Sequence, residues 1–328
     1  MMLRRAASFL AFSLCTIVAS TGLARAYLPP PFAALDRDVR TAARQVPGAI
    51  ALDVLDLNTG YHTGFNAGMS MPAASTIKLA VMVEVFEALE TGSIDLNRRV
   101  TLRSGDKDSG SGDLSDDRPG RSFPVSVLLA KMIDISDNTA TNMLIRLVGR
   151  RNINSQMREL GLSHTHLSDD VRTDGWSIRQ ALRTSPADLV HLLMLMARGE
   201  LIDQWSSDEM ISLLEADRYK TLLPEPLPNY VAIAHKTGSL FDTLNDAGIV
   251  YASDAPYVIA VMTTALPSQD LGRTFIHTVS RLAYADELRF ARWREAAGTT
   301  AHDAASPDVP FWGGEPYWSG GPSTEPPP

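Results

Sequence analysis

Ser75 and Lys78 stand three residues apart in the stretch Met71-Pro72-Ala73-Ala74-Ser75-Thr76-Ile77-Lys78, which runs into the apolar segment Leu79 to Leu89. At the start of a helix this spacing puts both side chains on one face, within reach of each other. A serine hydroxyl is protonated at neutral pH and attacks poorly unless a base takes its proton. A lysine can be that base only when desolvation or a second cation lowers its pKa. Burying Lys78 at the head of an apolar helix would do so. The spacing alone is a weak signal, because Ser104-Gly105-Asp106-Lys107 repeats it in a polar, glycine-rich loop with no apolar run behind it.

The elements that must position Ser75 follow from hydrophobic spacing. Phe32 to Val46 has helical periodicity, with Phe32, Leu35, Val39 and Ala43 on one side. Gly48 to Leu57 and Tyr61 to Asn66, separated by Asn58-Thr59-Gly60, read as a β-hairpin with one buried face. Ser75 to Leu89 is a helix that Gly92 stops, and Arg103 to Ser122 is a loop. Further helices are expected over Pro124 to Ile135, Thr139 to Val148, Ile153 to Leu160, Ser185 to Arg198, Ser207 to Glu215 and Phe275 to Ala296. Strands are expected over Ala232 to Lys236, Ala247 to Ala252 and Tyr257 to Thr264, with turns at Leu244-Asn245-Asp246 and Ser253-Asp254. Strands at both ends with helices between them predict an α+β fold, in which an antiparallel sheet assembled from both ends of the chain encloses an all-helical part.

The 328 residues are 45% hydrophobic, enough for a large core. Arg4 and Arg5, the apolar run Ala6 to Ala19 and the small-x-small site Leu23-Ala24-Arg25-Ala26 form a signal-peptide pattern cleaved after Ala26. The run is shorter than the ~20 residues of a membrane span. Cys15, the one cysteine, lies inside this segment, so the mature chain would have no disulfide, thiol nucleophile or cysteine metal site. Without Arg4, Arg5 and Arg25 the 30 basic side chains fall to 27 against 38 acidic ones, a net charge of −11. That excludes nucleic acid as an expected partner. Residues 27–297 are expected to form the catalytic unit, with sheet over about 27–70 and 227–297 and helices over about 71–226. Residues 298–328, rich in Pro, Gly, Ser and Thr, read as a tail.

Two further motifs single out Ser75. Ser136-Asp137-Asn138 follows the predicted helix Pro124 to Ile135, and Lys236-Thr237-Gly238-Ser239 lies on a predicted strand. The order S-x-x-K, S-D-N, K-T-G is that of class A β-lactamases and penicillin-binding proteins. From about Phe32 to Arg294 the sequence resembles the class A serine β-lactamase family. The resemblance implies a sheet plus a helical domain with the site in the cleft between them. It also implies a small β-lactam or D-Ala-D-Ala-type substrate; a monomer with no cofactor, no metal and no stable membrane insertion is expected. By resemblance, Ser75 attacks, Lys78 takes part in activating it, and Ser136 passes a proton to the leaving nitrogen. Asn138 would contact the substrate amide and Lys78. Lys236 would lower the pKa of Lys78 and, with Thr237, attract the substrate carboxylate. The backbone N–H groups of Ser75 and Ser239, beside Gly238, would form the oxyanion hole.

The sequence departs from the family in two places. No glutamate occurs between Gly161 and Gly199, where the family carries the residue that activates the deacylating water. Counting from Thr165-His166-Leu167 puts Val171 at that place, and counting back from Thr184-Ser185-Pro186 puts Asp169 there, so Asp169 or Asp170 is the expected base. His164, His166 and Asp169 could suggest a metal, but no other histidine cluster supports one. The family's arginine for the substrate carboxylate is also replaced, by Asn245-Asp246, with Arg273 or Arg281 as candidate substitutes. A β-lactamase is the leading expectation. A D-alanyl-D-alanine peptidase or related acyl-transferase, and a β-lactam-binding protein without turnover, are the alternatives.

Overall fold

The structure is a computed structural model describing residues 29–173, 178–296 and 298; the predicted signal peptide and nearly all of the tail lie outside them. In chain order it runs α1 (Pro30–Ala43), β1 (Ala49–Asp56), β2 (His62–Phe65), β3 (Met71–Pro72), α2 (Lys78–Glu90), β4 (Arg99–Thr101), β5 (Ser122–Pro124), α3 (Val125–Asp134), α4 (Asn138–Val148) and α5 (Arg150–Glu159). It continues through β6 (His166–Leu167), α6 (Ile178–Ala181), β7 (Leu182–Thr184), α7 (Pro186–Ala197), α8 (Gln204–Glu215), β8 (Ala232–Leu240), β9 (Thr243–Tyr251), β10 (Tyr257–Thr264) and α9 (Gln269–Ala296).

The main sheet has the order β2-β1-β10-β9-β8, and every pairing in it is antiparallel. β1 lies beside β10, with Ala49 opposite Thr264 and Asp56 opposite Tyr257, so the two ends of the chain form one sheet. The sequence suggests one buried face for the first hairpin, yet β1 is buried along nearly its whole length. Both faces of the sheet are covered. Leu52, Val54, Ile259 and Val261 join a core with Leu35 and Val39 of α1 and Phe275 and Val279 of α9. The alternate residues Ala51, Leu55, Ala260 and Met262 join the core of the helical part, around Val81, Leu129 and Leu144. Successive strand side chains point to opposite faces, so a strand buried on both sides reads as a continuous apolar run.

Two expectations change in ways that matter for the site. The helix predicted from Ser75 begins as a 3₁₀ turn over Ala74–Ile77, and α2 starts only at Lys78. The turn predicted at Leu244-Asn245-Asp246 lies inside β9, and the hairpin reverses at residues 241–242. Asn245 and Asp246 are polar for a structural reason. Asn245 Nδ2 donates to the carbonyls of Pro72 and Ala73, and Asp246 accepts from Leu223 N and meets His235 Nδ1 at 2.9 Å. Three short pairings, β3 with β7, β7 with β6 and β4 with β5, carried no sequence signal. No helix among the described residues is long and apolar enough to cross a membrane.

Candidate active site

In a 3₁₀ turn the side chains at i and i+3 eclipse each other. Ser75 and Lys78 are therefore brought together more directly than on an α-helix, and Lys78 Nζ lies 3.2 Å from Ser75 Oγ. The turn is forced at its start, where Ala74 has φ +49°, a left-handed conformation that a residue with a Cβ rarely adopts. Ser136, just before α4, is likewise left-handed at φ +55°. Such conformations cost about 1–3 kcal/mol each and persist where surrounding contacts over-determine them. The contacts are visible here. Asn245 holds the Ala73 carbonyl, and Asp137 caps α4 through Ala140 N while its other oxygen accepts from Asp113 N and Leu114 N.

Lys78 is the centre of the network. Besides Ser75 Oγ, its Nζ is 2.5 Å from the Ser136 carbonyl, 2.9 Å from Ser136 Oγ and 2.8 Å from Asn138 Oδ1. Its side chain is fully buried. Burial first, and the charge of Lys236 second, hold its pKa well below the usual lysine value, against the opposing pull of Asp137, Asp108 and Asp217. A buried lysine surrounded by two hydroxyls and two carbonyl oxygens is equipped to move protons between those hydroxyls.

β8 passes the 3₁₀ turn so closely that a Cβ on Gly238 would sit 3.0 Å from both Ser75 N and the Ala73 carbonyl. A side chain there would push the turn back by a few tenths of an ångström, so glycine keeps the strand and the backbone of Ser75 close together. A cavity of about 330 Å³ opens there, lined among others by Ser75, Ser136, Asn138, Thr237, Gly238 and Ser239. Lys78 and Lys236 are fully buried and are not among the residues that line it. Lys236 Nζ pairs with Asp217 Oδ2 at 3.0 Å, both side chains fully buried, and lies 5.9 Å from the centre of the Tyr219 ring. Asp217 carried no sequence motif; the requirement that a buried lysine have a counter-ion was the available signal. Removing one member of such a pair strands the other charge, at about 3–5 kcal/mol. Asp217→Asn should lose stability of that order in urea denaturation, with Asp217→Asn/Lys236→Met recovering most of it. A loss below about 1 kcal/mol would show that Asp217 does not hold Lys236 in place.

Asp169 and Asp170 are not brought to the cavity. Arg150 lies 3.1 Å from Asp169 and 3.6 Å from Asp170, and Arg172 lies 3.3 Å from Asp170. Asp169 is 58% exposed. The aspartate-base expectation therefore has no geometric support: arginines pair with both carboxylates, Asp169 exposed and Asp170 half-buried, and neither lines the cavity. The cavity wall at this point is Val171, buried, with its backbone pinned on both sides by Asn142 (Asn142 Oδ1 accepts from Val171 N at 2.8 Å and Asn142 Nδ2 donates to Val171 O at 3.0 Å). No carboxylate lines the cavity among the described residues. His164 faces Asp188, and His166 is paired within the small sheet. Arg273 lines the cavity and donates to the Thr221 carbonyl, whereas Arg281 is exposed elsewhere on α9.

Fold and site together define a serine hydrolase built on a β-lactamase-like scaffold. The profile of the Beta-lactamase enzyme family matches residues 34–286, and the chain belongs to that family. Among solved structures it is similar to a β-lactamase from Sphaerobacter thermophilus DSM 20745, at 28% identity over 78% of this chain and 98% of that one, with a TM-score of 0.72. It is also similar to PBP-A, at 30% identity over 80% of this chain and 99% of that one, with a TM-score of 0.74. A leucine-to-glutamate mutant of PBP-A, solved as its acyl-enzyme with penicillin G, matches at 31% identity over 80% and 100% of the two chains, with a TM-score of 0.74.

Proposed function

We propose that this chain opens β-lactam amide bonds by forming an acyl-enzyme on Ser75, and that release of the acyl group is its slow step. The observation that carries the reading is Lys78, buried, held below its usual pKa and within 3.2 Å of Ser75 Oγ and 2.9 Å of Ser136 Oγ. Lys78 takes the Ser75 proton as Oγ adds to the β-lactam carbonyl. The Ser75 and Ser239 N–H groups receive the developing oxyanion. Ser136 hands a proton to the ring nitrogen as the C–N bond breaks and is reprotonated from Lys78, which returns Lys78 to its neutral state. Thr237, Lys236 and Arg273 supply positive charge and donors for the substrate carboxylate, and Asn138 orients the acyl amide.

Hydrolysis of the ester then needs a water and a base, and Val171 supplies none. The penicillin G acyl-enzyme recorded for the PBP-A mutant supports the acylation half of this reading. The same aliphatic wall favours a second reading, a D-alanyl-D-alanine peptidase or related acyl-transferase whose natural acceptor is an amine that needs less activation than water.

One experiment separates them. Purified protein is mixed with a chromogenic cephalosporin, and colour and intact mass are followed together. A stoichiometric burst with a Ser75 adduct that decays slowly is the expected result. Fast sustained turnover without adduct would overturn slow release, and absence of both would overturn acylation itself. Turnover of a D-Ala-D-Ala peptide would establish the second reading. Export after cleavage at Ala26 belongs to the same proposal and is read from the N-terminus of the secreted protein.

A further inference from the structure

Asp108 belongs to none of the three motifs and does not line the cavity, yet its carboxylate is the most densely bonded group around the site. Its Oδ1 accepts from Asn138 Nδ2 at 2.8 Å, from Gly110 N at 3.0 Å and from Thr173 Oγ1 at 2.9 Å. Its Oδ2 accepts from Thr173 N at 2.8 Å and lies 3.0 Å from the same hydroxyl. The side chain is buried, which by itself would raise its pKa, but the donors from Thr173, Asn138 and Gly110 outweigh burial and hold it below the usual aspartate value. It is an ionised acceptor with no proton to give.

That fixes Asn138. An asparagine amide presents either its oxygen or its nitrogen to a neighbour, and only the partners decide which. A carboxylate can only accept, so Nδ2 must face Asp108 and Oδ1 must face Lys78 Nζ, at 2.8 Å. A neutral lysine amine has two hydrogens and one lone pair. The Ser136 carbonyl, at 2.5 Å, and Asn138 Oδ1 are both obligate acceptors and take the two hydrogens. The lone pair is left for the hydroxyls of Ser75 and Ser136. Were Asn138 turned over, its NH₂ would face Lys78 and occupy that lone pair.

We propose that Asp108 is a positioning residue that keeps Lys78 free to act as a base, by locking the Asn138 amide with its oxygen toward Lys78 and thereby aiming the Lys78 lone pair at the serine hydroxyls. The inference deepens the acylation step proposed above but does not depend on which substrate is attacked. Asp108 also ties the rim at Gly110 to Thr173, so a structural contribution must be separated from the one proposed.

The test reads Ser75 with a fluorophosphonate probe, in which Oγ forms a P–O bond and fluoride leaves, followed by intact mass. Asp108→Asn keeps the shape but lets the amide pair turn over, and should slow phosphonylation by about tenfold or more. In an Asn138→Ala background the same change should cost less than about twofold, because a residue acting through Asn138 has nothing left to act on. Losses that simply multiply would overturn the proposal. The pH profile supplies a readout that loosened packing would not move. The charges acting on Lys78 are Lys236, Asp137, Asp108 and Asp217. Removing the Asp108 charge leaves Lys78 easier to deprotonate with or without Asn138, so the acid limb should shift to lower pH in both backgrounds, while the loss of about tenfold persists on the plateau above the limb only where Asn138 is present; a loss confined to the limb would overturn the proposal.

A measurement on the parent protein covers the case in which Asp108→Asn does not fold. The Asn138 side-chain amide, assigned by its loss in Asn138→Ala, should show one low-field, slowly exchanging proton, and a freely exchanging amide would overturn the assignment. Parent protein that resists the probe would overturn activation of Ser75 altogether. Parent protein that reacts with the probe but not with a β-lactam would overturn only the proposed substrate.

Discussion

Lys78→Met should abolish acylation of Ser75 in practice, with the second-order rate for a chromogenic cephalosporin falling by about 10²–10⁴-fold, the usual contribution of a positioned general base. Methionine keeps the length and apolar stem of a side chain that is fully buried, so lost chemistry, not lost packing, dominates the result. The pH dependence has a definite sign. Lys78 acts as a base only when neutral, so the parent rate rises as pH passes upward through its depressed pKa and is flat above it. Burial, then the charge of Lys236, set that depression. Lys236→Met therefore moves the rising limb to higher pH, and Asp217→Asn/Lys236→Met moves it part of the way back, because the Asp217 charge that raises the Lys78 pKa is then gone as well. Stability carries the same signature. Between the depressed pKa and the ordinary value of 10.5 the unfolded chain holds a proton that the folded chain lacks, so stability of the parent rises with pH across that window. The methionine variant should lose this slope in denaturation series at several pH values. A variant acylating within tenfold of the parent would remove Lys78 from the mechanism.

Val171→Glu should accelerate release of the penicilloyl group from Ser75 by at least about tenfold and up to about 10³-fold, the range expected when a carboxylate is placed beside the attacking water. Val171 lines the cavity and its main chain is held by Asn142 from both sides, so the direction of the side chain does not depend on its identity. The readout is the decay of the Ser75 adduct by intact mass after excess penicillin G is removed. Asn142→Ala should reduce the gain, because the pinning is lost. An unchanged decay with normal acylation would mean that the water approaches from another wall.

Much of the site was legible because its chemistry is carried by short motifs whose spacing the fold does not disturb. Ser75 with Lys78, Ser136 with Asn138, and Lys236 converge although they come from a 3₁₀ turn, the start of α4 and β8. The apolar face of α1 was legible too, since Phe32, Leu35, Val39 and Ala43 are the residues it buries. What escaped was held by contacts distant in sequence. Asn245 and Asp246 look like a turn because polar pairs usually mark one, but here they satisfy main-chain groups of the nucleophile turn and of residue 223 from within a buried strand. Asp217 and Asp108 are single acids without neighbours of a recognisable type, and only the folded chain shows the lysine and the amide that need them. Asp169 and Asp170 were the reverse case, carboxylates at a suitable place in the chain that arginines hold elsewhere.

The antiparallel pairing of β1 with β10 has a consequence for the order in which the protein is made. Residue 49 meets residue 264, so the central strand contact waits for more than two hundred intervening residues to be synthesised. Closing so long a loop costs entropy before the sheet returns any stabilisation, and pairings of this kind form slowly. The helical part, with Ser75, Lys78 and Ser136 already in the chain, is complete in sequence before β8 brings Lys236. A chain interrupted before residue 232 therefore carries the proposed nucleophile without the strand that lies against its turn or the cation that lowers the pKa of Lys78. Reactivity at Ser75 should appear late and all at once in refolding, trailing the recovery of helix, so that a fluorophosphonate pulse would report completion of the sheet.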